Sequence, residues 1–259
     1  MDYPIKSKDS IIDYLLQLNN QLTDGDLNKL NYIIIFGPFV LTLLCSLFIS
    51  TKIVLVFLFV LFFSLAMMLY SLKVLLRIVT KDTGNERMIE IANAIREGAE
   101  GFFVIQYNTI FKLSIVFGVI IFVFYIGRNI SGGDDNMTNI LGKTLTAIFV
   151  VCSFFLGAFC SAFAGYSGMW VSVRANIRVA AAATRCYNDA LVTCFDGGLF
   201  ASIINIALAL LGISINYLSI YFAIYLKTTS GAEVPYENIP LLLVGFSFGA
   251  SFVAMFAQL

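Results

Sequence analysis

The densest acidic grouping in this chain is Glu86, Glu90, Glu97 and Glu100, spaced so that a helix sets them along its surface. Carboxylates gathered closely enough could hold a divalent cation. Arg87 and Arg96 interleave with them, so the row reads as a solvated, ion-paired helix face, with a metal site as the alternative. A proton path through hydrocarbon would need ionisable groups inside the apolar runs, and almost none occurs there. Asp196 comes nearest, at the inner edge of one such run, and it reads as water-facing rather than as a relay. Histidine is absent, which removes the commonest metal ligand and proton shuttle. Cys45, Cys152, Cys160, Cys186 and Cys194 lack CxxC spacing and read as small buried hydrophobes.

The elements that must position these residues are membrane helices. Apolar residues make up 59% of the chain and charged residues 12%, with a mean hydropathy of +0.90, which excludes an ordinary soluble domain. A net charge of zero gives no basis for a nucleic-acid partner. Runs long enough to span as helices lie at about residues 31–50, 53–76, 109–127, 144–169, 197–226 and 238–259. The predicted fold is therefore all-α, a polytopic transmembrane bundle of about six spans. Residues 1–30 form a polar N-terminus without a cleavable signal pattern, so the first span reads as an anchor. With that N-terminus inside, Lys6, Lys8, Lys29, Lys73, Arg77, Lys81, Arg87, Arg96, Lys112, Arg174, Arg178 and Arg185 lie on or near the inner side. Only Lys52, Arg128, Lys143 and Lys227 lie outside, a clear positive-inside bias. Asp134 and Asp135 then fall in an outer loop, as do two sequons, Asn129-Ile-Ser131 and Asn136-Met-Thr138, which read as coincidental in so short a segment.

Two stretches stand out within this frame. In residues 157–183, GAFCSAFAGYSGMWVSVRANIRVAAAA, the small residues Gly157, Ser161 and Gly165 recur every fourth position, a face that lets another helix approach backbone to backbone. Arg174 and Arg178 mark its cytoplasmic exit. Residues 84–110, GNERMIEIANAIREGAEGFFVIQYNTI, place Met88, Ile91, Ala92, Ile95, Ala99 and Phe102 on one face of an amphipathic helix lying on a bundle or on a bilayer surface. Gly245 and Gly249 supply a further close contact on the last helix, and Gly165→Leu is expected to disrupt assembly more than Gly118→Leu.

Taken with LLLVGFSFGASFVAMFAQL at 241–259, these stretches resemble the N-terminal part of the membrane-integral pyrophosphatases, the pyrophosphate-energised ion pumps. The resemblance covers roughly residues 53–259. AIREGAEGFF, GYSGMWVSVRANIRV and GASFVAMFAQL look most like the potassium-insensitive, proton-translocating second class. Gln258 occupies a position near the ion gate where many potassium-dependent relatives carry arginine. What the resemblance implies is a pump coupling pyrophosphate hydrolysis to proton translocation, with Mg2+ as cofactor, no potassium requirement, and a homodimeric assembly in a lipid bilayer. An acidic organelle, a Golgi-like compartment and the plasma membrane stay open as its location.

The family's Asp- and Lys-rich motifs follow a GGGIYTK stretch, whereas this sequence ends at Leu259. The expectation is that no catalytic residue or magnesium ligand lies in this chain, that it is inactive alone, and that it is an N-terminal fragment or truncated gene model whose partner is the remainder of the pump. A short paralogue is the alternative on length. A non-enzymatic membrane scaffold or assembly subunit is the alternative on function. A secondary transporter is disfavoured, because no inverted repeat relates the halves.

Overall fold

In hydrocarbon a backbone amide has no water to bond, so an apolar run of this length satisfies itself as a helix. The computed structural model describes residues 24–47, 52–130, 143–227 and 239–257, together with Ile12 and Gln17. The helices are α1 (Asp24–Ser46), α2 (Lys52–Val79), α3 (Glu86–Ile130), α4 (Lys143–Ala183), α5 (Tyr187–Lys227) and α6 (Ile239–Ala257). Each is long and apolar enough to cross a membrane, making six candidate spans among the described residues. The chain is a multi-pass integral membrane protein. Most of the polar N-terminus, Asp134, Asp135, the sequon at Asn136, the Asn129 side chain and Gln258 lie outside the described residues.

Three helices are far longer than a bilayer requires. At 1.5 Å per residue the 45 residues of α3 extend about 67 Å and the 41 of α4 and of α5 about 61 Å, against a hydrocarbon core of about 30 Å. The amphipathic stretch expected to lie on a bundle or on a bilayer surface is the first half of α3, continuous with its apolar span. No proline falls between residues 86 and 130, and Gly98 and Gly101 alone do not break the helix. The excess length of all three helices emerges at the end that carries most of the arginines.

Short turns close that end. Gly84 adopts φ +74°, and an added Cβ there would lie 2.7 Å from the Met88 sulfur, so both conformation and space call for glycine. The Gly84 N–H donates to Asp82 Oδ1 at 3.2 Å. Between α4 and α5, the N–H groups of Arg185 and Cys186 both donate to the Ala182 carbonyl at 3.0 Å.

Helix α4 is the hub, packed against α3, α5 and α6, while α2 packs on α5 and α1 on α2. One core cluster joins Val74 and Ile78 of α2, Ala164 and Val171 of α4, Phe200 and Ile204 of α5 and Phe246 of α6. The cysteines correct the expectation of burial. Only Cys160 is buried, Cys45 is half-buried, and Cys152, Cys186 and Cys194 are exposed. A thiol is small enough to be tolerated on a lipid-facing or turn position, so lying in or beside an apolar run did not decide its burial.

Candidate functional site

Among the glycines of the described residues, those between α4 and α6 lie tightest against a neighbouring backbone. A Cβ added at Gly249 would collide with the carbonyl oxygen of Phe154 and come within 3.0 Å of the Ala158 nitrogen. At Gly245 it would lie 2.5 Å from the Val150 carbonyl oxygen, and at Gly157 it would collide with the Phe246 carbonyl oxygen. Glycine alone permits this approach, in which dispersion and close dipoles replace the hydrophobic drive that lipid does not supply. Gly165 faces elsewhere, 2.8 Å from the hydroxyl of Tyr107 on α3 when a Cβ is added, and Ser161 is half-buried between the two contacts. The every-fourth-residue stripe on α4 is thus divided between two neighbours. Gly212 on α5, which periodicity did not single out, lies under the ring of Phe246, 2.5 Å from an added Cβ.

At its C-terminal end α6 is held from the side. Gln106 Nε2 on α3 donates to the Phe256 carbonyl at 2.5 Å, two positions before Gln258. Phe252 packs at a tilt against Phe117, Phe154 and Phe256, filling the space between α3, α4 and α6. Deeper in the bundle, Ser153 Oγ donates to Asn216 Oδ1 at 3.0 Å, joining α4 to α5 through two buried polar side chains.

A layer of charge closes the arginine-rich end. Asp196 is 5% exposed, which corrects its reading as a water-facing residue. Arg77 in the last turn of α2 and Lys81 in the turn that follows it each approach a different oxygen of its carboxylate at 3.3 Å, and Lys81 also donates to Thr193 Oγ1 at 3.0 Å. Two cations from the end of the neighbouring helix and its turn make it worthwhile to bury the carboxylate, a pairing that linear spacing cannot reveal. The guanidinium of Arg174 stacks 3.8 Å over the Trp170 ring and reaches Glu100 at 3.4 Å, while Arg185 bonds Asp82 at 2.9 Å. Arg178, 5% exposed, donates to the carbonyl oxygens of Arg174 and Val79, which ties α4 to the last turn of α2.

The described residues do not fit a magnesium site. Glu86, Glu90, Glu97 and Glu100 are all exposed along one helix, Glu100 is engaged by Arg96 and Arg174, and no group of three or more metal-ligating side chains converges among the described residues.

Comparison with known proteins bears on what this frame serves. The chain matches the family described as inorganic H+ pyrophosphatase over residues 30–259, a match that starts well before residue 53 and takes in the first span. It is 43% identical over 182 residues to pyrophosphate-energized membrane proton pump 3 of Arabidopsis thaliana, covering 70% of this chain and 22% of that protein. It is 40% identical over 182 residues to the K(+)-insensitive pyrophosphate-energized proton pump of Caldanaerobacter subterraneus, covering 70% and 24%, and 36% identical to the pump of that name in Methanosarcina mazei, covering 70% and 22%. The chain thus spans less than a quarter of the length of these curated relatives. No solved structure matches it.

Proposed function

Because the chain belongs to the inorganic H+ pyrophosphatase family, we propose that it is a membrane scaffold portion of a pump that couples pyrophosphate hydrolysis to proton translocation. The observation that carries this reading is the pairing of strong identity with partial coverage: the relatives share up to 43% of residues over the matched stretch, yet that stretch is only 22% of the Arabidopsis protein. Hydrolysing a pyrophosphate requires carboxylates to gather Mg2+ and cations to neutralise phosphate oxygens. In this reading those groups, and the catalytic residues, belong to parts of the pump outside these residues, and the chain alone is inactive.

The role of the chain is then mechanical support. Gly157, Gly245 and Gly249 set α6 against α4, Gly165 and Ser161 seat α3, and Gln106 steadies the end of α6 where Gln258 would hydrogen-bond a gate residue from a later helix. Potassium independence is supported by two of the relatives, which are called K(+)-insensitive, and the pump would assemble as a homodimer.

A segment swap tests the reading. The matched 182 residues, placed in the Caldanaerobacter pump in exchange for its own, should yield a protein that hydrolyses pyrophosphate with Mg2+ and acidifies vesicles without potassium, while the 259-residue chain does neither. Hydrolysis by the chain alone would overturn the division of labour. A swapped pump that assembles but requires potassium would remove the potassium-insensitive assignment.

A further inference from the structure

An apolar groove opens between α2 and α4 with α5 as its floor. It encloses about 650 Å³ and is walled by Leu69, Leu72, Phe163 and Trp170 over Phe200 and Ile204. All these residues lie in the half of the spans nearest the arginine-rich end, so the groove sits at acyl-chain depth. Trp170, which forms part of the wall, carries the guanidinium of Arg174 on its face. Arg178 follows one turn further along α4, about 10 Å beyond the groove-lining Val171. Arg174 reaches Glu100, whereas among the described residues Arg178 meets only carbonyl oxygens and its fully buried Nε has no partner. A buried guanidinium without a counter-ion beside a second guanidinium draws anions.

We propose that this groove and the two arginines that follow its lining residues along α4 hold an anionic glycerophospholipid of the adjacent leaflet, one acyl chain along the groove and the phosphate at Arg174 and Arg178. The chain sheds no water to enter, because the groove is already at hydrocarbon depth, so selectivity resides in the headgroup. Basic pockets between spans on the cytoplasmic side have this preference on electrostatic grounds.

Trp170 is the single tryptophan of the chain, which makes it a built-in reporter. The 259-residue chain, reconstituted in phosphatidylcholine vesicles, is titrated with phosphatidylglycerol or phosphatidylcholine brominated on the acyl chains while Trp170 fluorescence is read. Brominated phosphatidylglycerol should quench saturably at a mole fraction about fivefold lower than brominated phosphatidylcholine, the effect of one arginine near the surface. Arg178→Gln should erase that preference, and Ser167→Phe or Leu72→Phe, which narrow the groove, should weaken quenching by both lipids. Identical titrations with the two headgroups would overturn the proposal. So would absence of quenching by either, which would mean that protein covers the groove, and so would undiminished quenching in both narrowed variants. Circular dichroism establishes that each variant retains its helices; if one does not, the two-headgroup comparison on the unaltered chain decides alone.

Discussion

Gln106 and Phe256 are 150 positions apart, and the side-chain amide of the first is bonded to the main-chain carbonyl of the second. The bond matters because a main-chain carbonyl in an apolar setting gains by every donor that reaches it, and this donor comes from the side of a different helix. The side chain of α3 thus grips the backbone of α6.

Replacing Gln106 by Leu keeps the bulk and removes the donor. We expect a loss of about 1 kcal/mol, in the range of hydrogen bonds between membrane helices. Thermal unfolding in detergent should shift downward, with faster proteolysis near the end of α6. Unchanged melting and proteolysis would show that another group serves the Phe256 carbonyl.

The glycine contacts rank themselves by what an added side chain would strike. Gly157→Leu and Gly249→Leu oppose main-chain carbonyls, which cannot move aside, and should destabilise by about 3 kcal/mol or more. Gly165→Leu and Gly118→Leu meet only the tips of Tyr107 and Phe155, which can rotate, and should cost about 1 kcal/mol each. This replaces the expectation that Gly165 is far more sensitive than Gly118. Equal losses across all four variants in thermal unfolding would remove the distinction between backbone and side-chain contact.

Asp196→Asn leaves Arg77 and Lys81 facing each other with no anion between them. A loss of about 2 kcal/mol is expected, reduced from the buried-pair value because the Arg77 side chain is 49% exposed. Lys81→Gln should be milder, since Arg77 still pairs with the carboxylate. Denaturant unfolding of both variants checks the order, and a larger effect of Lys81→Gln would show that Thr193 rather than Asp196 is the partner that counts.

Cys186 is exposed in the turn between α4 and α5, at the end the positive-inside rule assigns to the cytoplasm. A variant keeping Cys186 as its only cysteine should react with an impermeant maleimide added from the cytoplasmic side and stay unlabelled from the other. Labelling from the opposite side alone would invert the bundle.

The helices and their apolar spans were legible because membrane length is written directly in composition, and the close-packing glycines because small residues recur at helical spacing. Which helix each glycine meets was not legible: Gly157 and Gly165 lie on one stripe but touch α6 and α3, since α4 is wider in contact than any single partner. The burial of Asp196 was hidden for a related reason, because its cations lie more than one hundred positions away, at the end of α2 and in the turn after it. Gln106 gave no signal, being one of several polar residues, with Asn108 and Thr109, at the edge of an apolar run.

Helix α3 runs without proline from Glu86 to Ile130, and at Gly98 and Gly101, where its side-chain surface is interrupted, it faces open space. Sharp bends in helices arise at proline, at inserted turns or where a side chain breaks the ladder, and α3 offers no such joint. It is a strut. The Glu100–Arg174 pair and the grip of Gln106 on Phe256 therefore lie on one unjointed rod, six residues apart.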